Sequence, residues 1–509
     1  MELNKLLTRV KPEKVAGSSA IQVTDLAYDS RQVQTGSLFF ALPGVKADGF
    51  DYIPQALEQG AVAIICERLP QIRPAGSCFI KVANVRLAMA KVAATFYGEP
   101  TYGVPVIGVT GTNGKTTVTY LLEAILKASG HSPAVFGTVE YRFNDHRISA
   151  SHTTPESIDL MRMMAGFRQR GADALILEVS SHALEQHRVD GIHFDIAVFT
   201  NLTPEHLDYH TTLEDYFASK RRLFTELLDT GTAVINHDDP FGQQLLADNV
   251  DWSSFGSGNI TDVYPQQVVV GRDGIQGTFL CADKILRINS GMIGDFNVSN
   301  LMAAIATAYR LGVDEETISR GIAAAPQVPG RLEKIDNQQN ILALVDYAHT
   351  GDALEQVLKT LSKLKSRRII TVVGCGGDRD PGKRSVMAAV AVKYSDLAVF
   401  TSDNPRTEDP LKILDQVRAG ALAGGGNEFN ESQQVNAEKG FVVVPDRRSA
   451  IEFAASQAQP GDLLLVAGKG HEDYQILGTK KIHFDDREEL SRVLNDVNFG
   501  TKVEAGVHV

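Results

Sequence analysis

Residues Val104–Ser129 constrain the fold more than any other stretch of the chain. An apolar run, Val104–Thr110 (VPVIGVT), leads into the glycine-rich turn Gly111–Thr117 (GTNGKTT), and a helical pattern follows from Lys115 to Ser129. Short apolar runs alternating with helices imply a parallel sheet covered on both faces. The same order of strand, loop and helix makes a phosphate site. Glycines let backbone N–H groups approach phosphate oxygens, and the helix N-terminus favours negative charge. Lys115 is placed to reach β- and γ-phosphates and the Thr116 hydroxyl to ligate Mg²⁺. Gly111, Thr112, Asn113, Gly114 and Thr117 complete the candidate cradle. The strict Walker pattern has glycine where this chain has Val109, so a plain glycine turn into a helix is the bland alternative.

A chain of 509 residues exceeds what one hydrophobic core organises, roughly 250–300 residues, so several domains are expected. Segments dense in Pro and Gly, Tyr97–Pro105 and Ala325–Leu332, mark the joints. They divide the chain into a small α/β domain at 1–98, a central P-loop-type, mostly parallel domain at 99–330, and a Rossmann-like domain at 331–509. In the first, Ser37–Leu42 and Ala61–Cys66 read as strands around a helix at Ile53–Gln59. In the second, Ala174–Val179 and Ile196–Thr200 repeat the strand signal, while 252–290 look β-rich. In the third, Ile341–Val345, Arg368–Val373, Leu397–Thr401, Phe441–Val444 and Leu463–Ala467 read as strands of a doubly wound sheet.

Charge enters as an exclusion. A net charge of −12 disfavours a general nucleic-acid binder but leaves room for anions held in a basic cleft. No stretch approaches the roughly 18 apolar residues of a membrane helix, and Met1–Val10 has no signal-peptide core. Cys66, Cys78, Cys281 and Cys375 form no CxxC pair and fit a reducing compartment.

Glu178 ends the run ALILEV and begins EVSSH (Glu178–His182). A carboxylate at the C-terminal end of a parallel strand faces the ligand crevice, where Mg²⁺ ligation beside a nucleotide is its natural role. Thr200–His210 (TNLTPEHLDYH) also follows a strand and offers His206 as a further metal ligand. A zinc cluster of His182, His206 and His210 is the competing reading, although HLDYH lacks the glutamate of HExxH.

TGTNGKTT after an apolar strand, with EVSSH and TNLTPEHLDYH downstream, resembles the Mur ligases and their folylpolyglutamate synthase relatives. In that family the departure from the strict Walker pattern is normal. The resemblance implies magnesium held by Glu178 and His206, and a carbamylated Lys220, in YFASKRRLF (read as a helix start), helping to hold a second Mg²⁺. Lys115, His206 and Lys220 then form the catalytic set. Carbamylation needs a neutral amine, hence a pocket that lowers the lysine pKa.

The same resemblance assigns the remaining residues. Asp29–Ser30–Arg31 before GSLFFALPG implies a uridine-binding first domain, with Ser30 and the loop Val45, Lys46 and Ala47 as contacts. Thr153 and Thr154 before Pro155, with Ser180, Gln186, Arg188 and Asn113, would bind the anionic precursor; helix capping is the plain reading of the threonines. Asn297, Asn300, Arg331, Asp346 and His349 match nucleotide contacts.

Asp403–Asn404–Pro405–Arg406, Arg379 in GCGGDRD, and Gly468 and Glu472 in AGKGHE resemble the diaminopimelate-adding branch of the family. Diaminopimelate differs from lysine by a distal carboxylate, and a guanidinium aimed at it selects for it. Glu472 suits the distal ammonium. The implied activity joins that amino acid to a UDP-MurNAc-dipeptide with ATP and Mg²⁺, in the cytoplasm. The expected partners are those small molecules, with no nucleic acid and no membrane insertion, and the chain is expected to be a monomer. A lysine-adding ligase, a folylpolyglutamate synthase and a non-catalytic nucleotide-binding protein are the alternatives.

Overall fold

The computed structural model describes residues 1–44, 47–206, 209–249, 251–430 and 439–496. Val45 and Lys46 of the expected uridine loop lie outside them. The chain forms two compact units, one of residues 1–266, 278–287 and 299–324, the other of 267–277, 288–298 and 325–509.

The first unit begins with strands β1 (Lys14–Ala16), β2 (Asp25–Ala27), β3 (Ser37–Phe40), β4 (Ala63–Cys66) and β5 (Cys78–Lys81), in the order β1-β5-β4-β3-β2. All neighbours are parallel except β1 and β5. β3 and β4 are buried at every position, which explains their unbroken apolar runs.

The phosphate loop hangs from a second sheet. In chain order it includes β6 (Val106–Thr110), β7 (Pro133–Phe136), β8 (Glu140–Phe143), β9 (His146–Ser149), β10 (Ala174–Glu178), β11 (Ile196–Phe199), β12 (Thr232–Asn236) and β13 (Ser253–Phe255). They run side by side as β13-β12-β11-β6-β10-β7-β8-β9. The stretch from β13 to β7 is parallel, and β8 and β9 turn back as an antiparallel edge. The β-rich 252–290 supplies β13, β14 (Val263–Gly271), β15 (Gly274–Cys281) and β16 (Lys284–Ser290).

The second unit holds β17 (Glu333–Ile335), β18 (Leu342–Asp346), β19 (Ile369–Cys375), β20 (Leu397–Ser402), β21 (Gly440–Val443) and β22 (Leu463–Ala467), ordered β17-β18-β22-β19-β20-β21. Only β17 is antiparallel. Apolar clusters cover both faces, one with Leu354, Leu358 and Met387, the other with Ile451 and Leu490. A hairpin of β23 (Tyr474–Leu477) and β24 (Lys480–His483) follows. The mixed α/β class with several mostly parallel sheets is as the sequence implied. All four cysteines are free and buried.

Candidate active site

β6 lies between β10 and β11, so the ends of three parallel strands deliver the phosphate loop, Glu178 and Thr200 to one rim of the sheet. The helix Lys115–Ala128 opens behind an N-cap Gly114 at φ 89. A side chain there would collide with Asn300 Oδ1, so glycine serves both the backbone and the space. Lys115 Nζ folds over the loop, donating to Gly111 O (2.9 Å) and Thr112 O (2.8 Å). Thr200 Oγ1 donates to Asn113 O at 2.6 Å, and Asn113 N donates to Asn201 Oδ1 at 2.9 Å. The segment after β11 therefore braces the loop from below.

Glu178 is 1% exposed. Burying a carboxylate is tolerable only with strong hydrogen bonds, and three donors are supplied. Thr138 N reaches Oε1 at 3.0 Å, Thr138 Oγ1 reaches Oε2 at 2.8 Å, and Thr116 Oγ1 reaches Oε2 at 3.0 Å. Gly137, just after β7, permits this approach: a Cβ there would strike the Glu178 carboxylate. The metal-candidate hydroxyl and carboxylate are thus already in contact.

Lys220 is 1% exposed and lies in the last turn of the helix Leu213–Arg222, not at a helix start as its surroundings read in sequence. That helix begins at Thr212, whose hydroxyl caps Asp215 N. Lys220 Nζ donates to Gly111 O at 3.0 Å, the carbonyl Lys115 also uses. Burial, then the Lys115 ammonium, hold its pKa well below the ordinary lysine range; Glu205 opposes only in part. His206 adopts a left-handed φ of 57. Its ring meets His182 edge-on at 4.9 Å, while His210 Nε2 pairs with Ser181 Oγ at 3.0 Å. Among the described residues no group of three or more His, Cys, Asp or Glu side chains gathers into a metal site, so the zinc reading gains no support.

Several precursor candidates of this unit gather where β10 ends, around the backbone of Glu178. Thr154 Oγ1 donates to Glu178 O (2.8 Å) and accepts from Ser180 N (3.1 Å). Thr153 Oγ1 lies 3.1 Å from Thr138 Oγ1. Neither threonine caps the following helix, whose N-cap is Glu156. Arg188 donates to Thr154 O (2.9 Å) and Gln186 Oε1 (2.8 Å) and pairs with Glu156 at 3.0 Å; its buried Nε has no partner among the described residues. Ser30 is buried and donates to Gln55 Oε1 at 2.9 Å, whereas Ala47 is exposed.

In the second unit the ends of β19, β20 and β22 present another cluster. Asn404 Nδ2 donates to Glu472 Oε2 at 3.1 Å, and its Oδ1 accepts from Ile476 N at 2.9 Å. Arg406, at φ 52, donates from Nη1 to Gly377 O at 2.7 Å. Gly468 N donates to Asp346 O at 3.1 Å. Arg379 is exposed. Asp346 accepts from Leu332 N and Ala348 N, both at 2.8 Å, and burial raises its pKa. The Arg331 guanidinium stacks 5.0 Å from the Tyr347 ring centroid, and the exposed His349 ring lies 4.7 Å from the same ring. Asn297 donates to Ile293 O at 2.8 Å.

Three family models match along the chain: "Mur ligase family, catalytic domain" at 22–97, "Mur ligase middle domain" at 109–308 and "Mur ligase, glutamate ligase domain" at 330–470. A Geobacter metallireducens protein named UDP-N-acetylmuramoyl-L-alanyl-D-glutamate–2,6-diaminopimelate ligase is 50% identical over 507 residues, 98% of this chain and 99% of its own. The chain belongs to the Mur ligase family. A solved structure of a UDP-N-acetylmuramoyl-L-alanyl-D-glutamate–2,6-diaminopimelate ligase matches with a TM-score of 0.70 and 32% identity, covering 100% of both chains. The MurF ligase of Thermotoga maritima in complex with ADP shares the fold at a TM-score of 0.61 and 19% identity, covering 95% of this chain and 99% of its own.

Several residues of this Mur ligase that shape the candidate site escaped the sequence reading. Thr138 makes two of the three bonds to Glu178, and Gly137 clears the way for them. The only sequence signal was a Gly-Thr pair just after an apolar run. Lys469 is fully buried inside the AGKGHE loop. Arg447 and Asp486 form a fully buried ion pair at 2.7 Å, with Arg447 also donating to Ala467 O at the end of β22. No helix among the described residues is long and apolar enough to cross a membrane.

Proposed function

We propose that this Mur ligase adds meso-2,6-diaminopimelate to the D-glutamyl γ-carboxylate of UDP-MurNAc-L-Ala-D-Glu, using ATP and Mg²⁺, as a cytoplasmic monomer in peptidoglycan precursor synthesis. The observation that carries the reading is the convergence of Asp403, Asn404, Arg406, Gly468 and Glu472 at the strand ends of one sheet. It offers a guanidinium and a carboxylate, the charge pair that the distal end of diaminopimelate requires. The names of the full-length relatives support it. Three domains at 1–98, 99–330 and 331–509 are part of the proposal, supported by the separation of the three larger sheets and by the spans of the family matches.

ATP phosphates sit on Gly111–Thr117. Lys115 exchanges two neutral carbonyls for charged phosphate oxygens, which are stronger acceptors. Thr116 and Glu178 offer hard oxygens in contact with each other, a donor set that fits Mg²⁺; His206 would join it, and a carbamylated Lys220 would help to hold a second Mg²⁺. When bound, the metal offsets charge building on the phosphate oxygens. The depressed pKa of Lys220 supports carbamylation, because only the neutral amine reacts with CO₂. Ser30, Val45, Lys46, Ala47, Asn113, Thr153, Thr154, Ser180, Gln186 and Arg188 hold the precursor, and Arg379 and Pro405 join the amino-acid set. Asn297, Asn300, Arg331, Asp346 and His349 are assigned to nucleotide from the family motifs.

The γ-carboxylate oxygen attacks the γ-phosphorus and ADP leaves, giving an acyl phosphate. The diaminopimelate amine attacks its carbonyl, loses a proton, and phosphate leaves. Lys115→Ala should abolish ADP formation while the variant keeps its melting temperature; normal turnover in it would remove the loop from the mechanism.

A further inference from the structure

One buried lysine has no part in that scheme. Lys469 is 0% exposed, and its ammonium lies 3.2 Å from Glu472 Oε2 and 3.4 Å from Asp403 Oδ1. A charged lysine is seldom buried unless carboxylates surround it. Here it holds one oxygen of each of two. Asn404 donates a second bond to the same Glu472 Oε2 at 3.1 Å, which fixes that carboxylate from two sides. Glu472 Oε1 and Asp403 Oδ2 take no hydrogen bond from the described residues. Both carboxylates remain partly exposed, 13% for Asp403 and 19% for Glu472, while the ammonium is sealed. Gln475 Nε2, from the following hairpin, ties down Asp403 O at 2.6 Å.

Charge decides what such a cluster accepts. Asp403 and Glu472 contribute two negative charges, Lys469 and Arg406 two positive ones, so the sum is zero. The distal end of diaminopimelate, one carboxylate and one ammonium, is also neutral and carries both signs. The distal end of L-lysine is a lone cation. We propose that Lys469 is a positioning residue that sets amino-acid specificity: it neutralises one of two carboxylates and makes the cluster complementary to a zwitterionic head instead of a bare cation. This rests on the reading of the cluster as the diaminopimelate site.

The test uses the full chain and initial rates of phosphate release, with ATP and UDP-MurNAc-dipeptide saturating and each amino acid varied. Lys469→Met removes the charge at similar length. KM for meso-diaminopimelate should rise about 10-fold or more, the scale of breaking a buried charge cluster, with kcat little changed. The preference for diaminopimelate over L-lysine, as a ratio of kcat/KM values, should fall about 10-fold or more. Lys469→Arg keeps the positive charge and should retain the preference. Equal losses for both amino acids in Lys469→Met, or a lost preference in Lys469→Arg, would overturn the proposal. A wild-type chain that releases no phosphate with diaminopimelate would instead overturn the underlying reading.

Discussion

Replacing Lys220 with methionine should stabilise the ligand-free protein and destroy its activity. The lysine is 1% exposed, with one hydrogen bond among the described residues, to Gly111 O at 3.0 Å. Burial and the Lys115 ammonium depress its pKa well below 10.5. The sign follows from proton counts. Between the depressed folded pKa and the unfolded value, the unfolded chain holds a proton that the folded chain has released. Stability therefore rises with pH across that window, by about 1.4 kcal/mol per unit, and falls as pH drops towards the folded pKa. Methionine removes this dependence at little change in volume. It forfeits a hydrogen bond worth about 1 kcal/mol, but Gly111 O keeps its bond from Lys115 at 2.9 Å. The variant should thus melt above wild type at pH 7, and its advantage should shrink towards pH 10. Scanning calorimetry in CO₂-free buffer from pH 7 to 10 reads this directly. Bicarbonate with Mg²⁺ should raise the melting temperature of wild type only. A methionine variant less stable at pH 7, or an offset independent of pH, would refute the argument.

Other consequences are independent of that one. Glu178→Gln keeps the shape of the side chain, and rotatable hydroxyls on Thr116 and Thr138 can reorient around it. Turnover should fall about 100-fold or more with loss of a charge-stabilising group, and the melting temperature should barely move; full turnover would remove Glu178 from the metal site. Gly137→Ala forces a methyl group against the Glu178 carboxylate and should cost about 1–3 kcal/mol by overpacking, with turnover lost in parallel. Unchanged urea midpoints would contradict the packing described. Arg406→Gly relieves a left-handed backbone by about 1–2 kcal/mol, offsetting the lost bond to Gly377 O. It should leave stability near wild type and abolish the preference for diaminopimelate; a retained preference in competition assays would count against the guanidinium. Burial and the charges of Arg331 and Arg487 push the His471 pKa down to about 4. Its contribution to stability is intact above pH 6.5 and is lost at about 1.4 kcal/mol per unit as pH falls towards 4. His471→Gln should flatten that acid limb in denaturation curves, and an unchanged limb would place the titration elsewhere.

What was readable in the sequence was local. GTNGKTT sits between a strand and a helix whose patterns identify themselves, and Glu178 ends an apolar run, so its place at the sheet rim follows from parallel topology. The helix around Lys220 was misjudged because its start lies in TTLED, where Thr212 caps and Glu214 and Asp215 fill the first turn, upstream of YFASKRRLF. Thr154 looked like a cap, but its hydroxyl is taken by Glu178 O, a bond between residues 24 positions apart that no local pattern encodes. Lys469 sits inside AGKGHE with no local sign of its role, because its partner Asp403 lies 66 residues away on another strand end. Burial and charge pairing of that kind depend on strand order, and strand order is set by the whole sheet.

The most direct test of the central claim offers the purified chain Mg²⁺-ATP and UDP-MurNAc-L-Ala-D-Glu, with meso-diaminopimelate and L-lysine in separate reactions. The account predicts phosphate release with diaminopimelate alone and a tripeptide product of matching mass. Equal or greater release with lysine would contradict the assignment of Arg406, and no release with either would contradict the ligase reading itself.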